Sequence, residues 1–162
     1  MSRALSLPSL LIPFRLQSPS PRLPDGYRLL ENAALTSEVL NPLLCQNGET
    51  ARSSACWQAV LARSNWHFGV LRESDASLVG FVRITSDLAL NANLWDLCAD
   101  AGDAAQQEIY AALVGAALAR LRRELSGCSI SLAAPPAALQ ALQSHGFVID
   151  PGGIRAMGLP LG

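Results

Sequence analysis

The stretch GFVRITSD at residues 80–87, followed by NANLWD at residues 91–96, decides the fold of this chain. Apolar and β-branched residues dominate both stretches, and a short polar segment separates them, which is typical of two strands joined by a loop. Another apolar run, at residues 66–72, lies ahead of them across a second polar segment. We therefore predict a β-hairpin from residues 66–72 and 78–85, and a third strand over residues 91–99.

A long helix is predicted directly after these strands. Asp103 with Gln106 three residues later has the spacing of a capping box, which predicts a helix that begins at Asp103. Gly127 predicts its end, at about Leu125. Apolar side chains at i, i+4, i+7 and i+11 predict the face toward the sheet, namely Val114, Leu118, Leu121 and Leu125.

Shorter elements are predicted on either side of this central part. Ahead of it we expect a strand at residues 27–30, a helix from Thr36 or Ser37 to Leu44, and a helix over residues 51–64. Behind it we expect a strand at residues 129–133, a helix over residues 137–144 ended by Gly146, and a strand pair from residues 147–149 and 154–159. This order predicts an α/β sandwich with a mixed sheet.

Composition excludes several classes of protein. The 162 residues suffice for one ordinary domain, and 50% hydrophobic against 15% charged residues is typical of a globular protein with a real core. The formal net charge of −1 predicts neither a nucleic-acid partner nor attraction to an acidic membrane. All twelve basic residues are arginine. Schiff-base enzymes and phosphate-binding loops that need a lysine are therefore excluded.

Cysteines and histidines show no metal-binding pattern. The four cysteines are at residues 45, 56, 98 and 128 and form no CxxC pair, and the two histidines, at residues 67 and 145, lie far apart. We expect no metal site. The absence of a short-loop disulfide framework favours a reduced compartment, so we predict a cytoplasmic protein.

Residues 1–24 differ in composition from the rest of the chain. They contain five prolines, five serines and three arginines but no acidic residue. Proline interrupts their apolar stretch, so we expect no membrane span. We predict a flexible extension at residues 1–24 and one folded domain at residues 25–162. The alternative is an organelle transit peptide, since such peptides are rich in arginine and serine and poor in acids.

The two stretches that decide the fold, together with HGF at residues 145–147 and DPGGIRAM at residues 150–157, resemble the GNAT acyltransferase superfamily, and in particular its cyanobacterial and plastid branch. The resemblance implies an α/β fold with a mixed, mostly antiparallel, twisted sheet flanked by helices. It also implies an acetyl-CoA-dependent N-acetyltransferase that acts on an amine of a small molecule or a protein. A homodimer is compatible with this class.

The resemblance also implies where a site would lie. Backbone groups of the strand at Leu97, Cys98 and Ala99 would pair with the pantetheine arm of the cofactor. The pyrophosphate would lie at the N-terminus of the long helix, where backbone N–H groups meet an anion. The positions that match the family's phosphate loop are Gln106, Glu108 and Tyr110. Asp96 matches a strand position from which a carboxylate could deprotonate the amine.

This sequence departs from the family pattern at those positions. The loop glycines are missing, and Leu142 stands where the family often has a tyrosine that protonates the leaving thiolate. Four acids lie near the phosphate position, and no arginine separates them: Asp96, Asp100, Asp103 and Glu108. One carboxylate about 4 Å from a phosphate charge costs roughly 4 kcal/mol at an effective dielectric near 20. We therefore predict weak or absent acetyl-CoA binding and activity; the alternative is a catalytically silent GNAT-fold binding or regulatory module.

Overall fold

The computed structural model describes residues 21–149, which form one five-stranded sheet with helices on both faces. In chain order the elements are β1 (Tyr27–Glu31), α1 (Ser37–Gln46), α2 (Ser54–Ala62), β2 (Trp66–Arg72), β3 (Ser77–Ser86), β4 (Asn91–Ala99), α3 (Gln106–Glu124), β5 (Ser129–Ser131) and α4 (Leu139–Ser144), with a single 3-10 turn (Pro136–Ala138) directly before α4. The predicted α/β class and the mixed sheet are confirmed.

The strands lie side by side in the order in which the chain makes them, from β1 to β5. β1 to β4 pair antiparallel, and β5 pairs parallel with β4. The predicted hairpin and the third strand are confirmed. The sheet is therefore mostly antiparallel, with one parallel pair at the side where α3 returns the chain.

The larger core lies between the sheet and α3. The buried side chains of α3 recur at helical spacing and are Ile109, Tyr110, Ala112, Leu113, Val114, Ala117, Leu118 and Leu121. Val114, Leu118 and Leu121 are 0%, 4% and 1% exposed, so the predicted core-facing stripe is confirmed for these three. The helix lies very close to β3 at Gly80, where a Cβ would be 2.4 Å from Cγ2 of Ile109.

A smaller core covers the opposite face of the sheet, under α1 and α2. It contains Leu40, Trp57, Phe81 and Cys98, and the rings of Trp57 and Phe81 meet edge to face. The indole of Trp57 donates a 2.8 Å hydrogen bond to Asn41 on α1, which ties the two helices together. Trp57 is 3% exposed.

Several predicted boundaries are wrong. The long helix begins at Gln106 with Ala105 as N-cap, so Asp103 does not cap it. The second helix covers Ser54–Ala62 and is shorter than predicted, because the Ser53 hydroxyl caps it by accepting from the N–H of Cys56. The strand after α3 has three residues instead of five. Residues 147–149 form no strand, and their predicted partner at residues 154–159 lies outside the described residues.

Two residues ahead of β1 contact the domain. Leu23 packs against the larger core, and the Pro21 ring approaches α3 at Gly115, where a Cβ would be 3.0 Å from its Cδ. The predicted boundary at residue 25 stays a prediction, since residues 1–20 lie outside the described part. Across the described residues, no helix combines the length and apolarity that crossing a bilayer requires.

Candidate functional site

β4 and β5 pair at one end only and leave a gap beside the rest of β4. The two strands pair at three positions, from Asn91 with Ser129 to Asn93 with Ser131. β4 continues to Ala99, and within residues 21–149 no strand pairs with residues 94–99 on that side. Backbone groups along this edge of β4 therefore face the gap, as the GNAT resemblance predicts for the strand that holds the cofactor.

A β-bulge interrupts β4 at the middle of this edge. Trp95 pairs with Arg83 and Cys98 pairs with Phe81, so Asp96 and Leu97 both lie opposite a single residue of β3. Asp96 has φ of +55°, a left-handed conformation that is uncommon for a residue other than glycine. Such a bulge turns the strand and changes the direction of the side chains that follow.

The loop between β4 and α3, residues 100–105, folds back on its own backbone. The N–H of Gly102 donates to Oδ1 of Asp100 at 2.9 Å, and the N–H of Asp103 donates to the Asp100 carbonyl at 3.2 Å. The N–H of Ala105 donates to Oδ1 of Asp103 at 2.8 Å, and the N–H of Gln106 to the Asp103 carbonyl at 3.2 Å. Three N–H groups of this loop and that of the first residue of α3 thus already have acceptors within the chain.

Asp103 is the centre of a polar network under this loop. Its side chain is 1% exposed; Oδ1 accepts the Tyr27 hydroxyl at 2.7 Å, and Oδ2 accepts Nη1 of Arg72 at 2.8 Å. Arg72 also pairs with Asp75 at 2.7 Å. The network joins β1 and β2 to the loop, so it fixes the start of α3 against the sheet. No spacing in the sequence indicated that Tyr27 and Arg72 would meet Asp103.

The network changes the acidity of its members. Burial raises the pKa of Asp103, but the hydrogen bonds from Tyr27, the Ala105 N–H and Arg72 outweigh burial and hold that pKa below its usual value. The hydrogen bond to Asp103 raises the pKa of the Tyr27 phenol. Hydrogen bonding to Arg72 lowers the pKa of Asp75 far below its usual range. Asp103 and Asp75 are therefore carboxylates at neutral pH.

Replacing Asp103 with alanine leaves the Tyr27 hydroxyl and the Ala105 N–H without their acceptor. We expect the free energy of unfolding at pH 7 to fall by about 1–3 kcal/mol. Because folding lowers the pKa of Asp103, its contribution is fully present above the unfolded pKa of about 3.9 and is lost as the pH falls through the lower folded value. Urea unfolding at neutral and at acidic pH measures both effects, with the exposed Asp25→Ala as control. Equal losses for the two variants would contradict this role of Asp103.

The predicted cofactor residues lie in different surroundings. Side chains of Leu97, Cys98 and Ala99 are all buried, so these residues can meet a ligand only through their backbone. Gln106 and Glu108 lie in the first turn of α3, and Glu108 is exposed. Tyr110 is 1% exposed and belongs to the larger core. Burial raises the pKa of its phenol.

The predicted catalytic position is already occupied by an ion pair. Oδ2 of Asp96 lies 2.5 Å from Nε of Arg83, which donates a hydrogen bond to it. Leu142 is 2% exposed in the larger core and has no proton to donate.

The Cys98 thiol is not a nucleophile at neutral pH. Burial is the main cause that raises its pKa far above the usual range. Within the described residues no cluster of His, Cys, Asp or Glu could hold a metal ion.

Comparison with known proteins adds a partial sequence match. No known family profile matches the chain. Over 86 residues the chain is 34% identical to GCN5-related N-acetyltransferase 2, chloroplastic, of Arabidopsis thaliana. The match covers 53% of this chain and 33% of the plant protein, so the chain spans about a third of the length of the curated relative that it matches.

Solved structures share the whole architecture. A probable acetyltransferase of meticillin-resistant Staphylococcus aureus has a TM-score of 0.72 at 13% identity, covering 83% of this chain and 99% of that one. Glucosamine-6-phosphate N-acetyltransferase of Arabidopsis thaliana has a TM-score of 0.62 at 10% identity, covering 82% and 97%. At such identities the likeness concerns the fold, which is the GNAT fold. The chain is thus similar to N-acetyltransferases in its fold and, over 86 residues, in its sequence.

Proposed function

We propose that this chain is a GNAT-fold domain in which acetyl-CoA binding and N-acetyltransferase activity are weak or absent. The observation that carries the proposal is the loop before α3, where Asp100 and Asp103 accept hydrogen bonds from the loop's own N–H groups. In a working anion site such N–H groups point at the ligand. Here carboxylates of the chain take the place of an external anion.

Electrostatics around the loop support the same proposal. Asp100, Asp103 and Glu108 lie at or beside the start of α3, and the nearby Arg72 already pairs with Asp75 and Asp103. A helix N-terminus offers an anion about 0.3–1 kcal/mol in exposed settings. One carboxylate about 4 Å from a phosphate charge opposes it by roughly 4 kcal/mol at an effective dielectric near 20. The residues present therefore do not suit the diphosphate of acetyl-CoA.

The groups that would move protons support it as well. A base must be able to approach the amine, but Asp96 is engaged by Arg83. Of the two tyrosines in the chain, Tyr27 is bound to Asp103 and Tyr110 is buried in the core. Neither occupies the position of the family's proton donor, which is Leu142.

Calorimetry with acetyl-CoA tests the proposal. We expect the full chain to bind it with a dissociation constant above about 1 mM, which corresponds to a free energy weaker than about −4.1 kcal/mol. Glu108→Arg reverses one charge at the start of α3 and should strengthen binding about tenfold, because it removes repulsion and adds attraction. Glu38→Arg is the matched control, since Glu38 occupies the first turn of α1.

Two results would overturn the proposal. One is micromolar binding of acetyl-CoA by the unaltered chain. The other is steady release of free CoA from acetyl-CoA in the presence of small-molecule or protein amines, which would be N-acetyltransferase activity. If neither acetyl-CoA binding nor CoA release is detected, the alternative of a catalytically silent binding or regulatory module is favoured.

The cytoplasmic or organelle location and a homodimer stay predictions. Cell fractionation tests the location, and light scattering tests the oligomeric state.

A further inference from the structure

Three side chains from neighbouring strands form a polar row on the face of the sheet that carries α1 and α2. His67 on β2 pairs in register with Arg83 on β3, and Arg83 pairs with Trp95 on β4. Directly paired residues point to the same face. Phe81, two residues before Arg83, belongs to the core on that face, which places the row there.

The row runs from the interior to the surface. His67 is 9% exposed, the Arg83 side chain is 19% exposed, and Trp95 is 46% exposed. Its inner end is closed, since Nε2 of His67 lies 2.9 Å from the carbonyl of Ala33. Arg83 thus lies partly buried beside a large exposed aromatic ring.

Arg83 is held from two sides. Its Nε donates to Oδ2 of Asp96 at 2.5 Å, and its Cζ lies 5.5 Å from the ring centroid of Trp95. The indole of Trp95 is fixed in turn by a 2.7 Å hydrogen bond to the Thr85 hydroxyl. The guanidinium is therefore oriented before any ligand arrives, which lowers the entropy lost on binding.

The outer nitrogens of this guanidinium have no partner within the described residues 21–149. Nε alone makes a hydrogen bond there, and neither Nη atom is both buried and unbonded. In this partly exposed side chain, the Nη atoms are the donors that lack a partner among residues 21–149. A planar guanidinium presents paired N–H donors that match the two oxygens of a carboxylate.

We infer that Arg83 is the binding group for the carboxylate of a small monoanionic ligand that lies beside the exposed Trp95 ring. The Asp96 carboxylate lies beside the bound group and repels it, so the paired Nη donors must offset that repulsion, which is smaller for a singly charged carboxylate than for a phosphate with two charges. The strained backbone of Asp96 at the bulge places its carboxylate on Nε and leaves the Nη atoms for the ligand. The inference involves none of the loop before α3, so it is independent of acetyl-CoA.

Titration of the full chain with sodium propionate, at constant ionic strength and without acetyl-CoA, tests the inference. Propionamide, which has the same shape without the charge, is the matched probe. Tryptophan fluorescence is the readout, because Trp95 is far more exposed than Trp57 and Trp66. We expect saturable quenching or a spectral shift with propionate and none with propionamide.

Three variants test whether the fluorescence response to propionate depends on Arg83. Arg83→Gln should weaken propionate binding at least about tenfold, since hydrogen bonds between charged groups are lost. Arg83→Lys keeps the charge but not the planar donors, and it should bind between the wild type and Arg83→Gln. Arg63→Gln removes an exposed arginine elsewhere and should change nothing. Equal responses to propionate and propionamide, or unchanged binding by both Arg83 variants, would overturn the inference.

Discussion

Replacing Leu118 with alanine is expected to lower the free energy of unfolding by about 2–5 kcal/mol. Leu118 is 4% exposed and lies on the face of α3 that packs on the sheet. Truncation removes buried apolar surface and leaves a cavity, because neighbouring strands hold the surrounding side chains in place. Urea or thermal unfolding followed by circular dichroism measures the loss.

The matched control is Leu90→Ala in the loop between β3 and β4. Leu90 is 71% exposed, so its truncation should change stability by no more than about 0.5 kcal/mol. Similar losses for the two leucines would show that α3 does not pack on the sheet as described.

Replacing Gly80 with alanine should also lower the free energy of unfolding, in this case because the added methyl group overfills the core. The Cβ of Gly80→Ala would lie 2.4 Å from Cγ2 of Ile109 and 3.1 Å from Cδ1 of Leu113. Both side chains are fully buried, so they, the helix or the strand must move. Overpacking of this kind typically costs about 1–3 kcal/mol or more. Chemical denaturation measures the change.

Gly102→Ala is the control for the added methyl group. Its Cβ would meet Oδ1 of Asp100 at 3.5 Å, an ordinary contact. Combining Gly80→Ala with Ile109→Ala should cost less than the sum of the single changes, because the second change makes room for the first. Additive losses would contradict a direct clash between β3 and α3.

The strands could be predicted closely from the sequence, whereas the start of the long helix could not. Apolar residues dominate β2 and β3, and polar segments lie at both ends of each, so the boundaries are marked locally. Asp103 has the local features of an N-cap, but Tyr27 and Arg72 compete for its carboxylate from distant strands. Such tertiary partners leave no local signal, and they move the helix start to Gln106.

The candidate site could be predicted only in outline. Four acids near the phosphate position are visible in the sequence, but their folding back onto the loop's own N–H groups depends on backbone geometry. The pair of Arg83 with Asp96 depends on a bulge that shifts the register by one residue. No residue type at these positions demands a bulge. Tyr110 matches the family loop in sequence, yet it lies inside the core.

The strand order gives this domain a simple route of folding. Within residues 21–149, β1 to β4 pair antiparallel in chain order, and β2 to β4 are joined by short connections, so little entropy is lost when each contact of that hairpin series closes. β5 follows α3 in the chain and adds only three residue pairs to β4. We therefore expect that pairing to be the cheapest part of the sheet to open by local unfolding. Amide hydrogens of β5 should exchange with solvent long before those of β3, which pairs with a strand on each side.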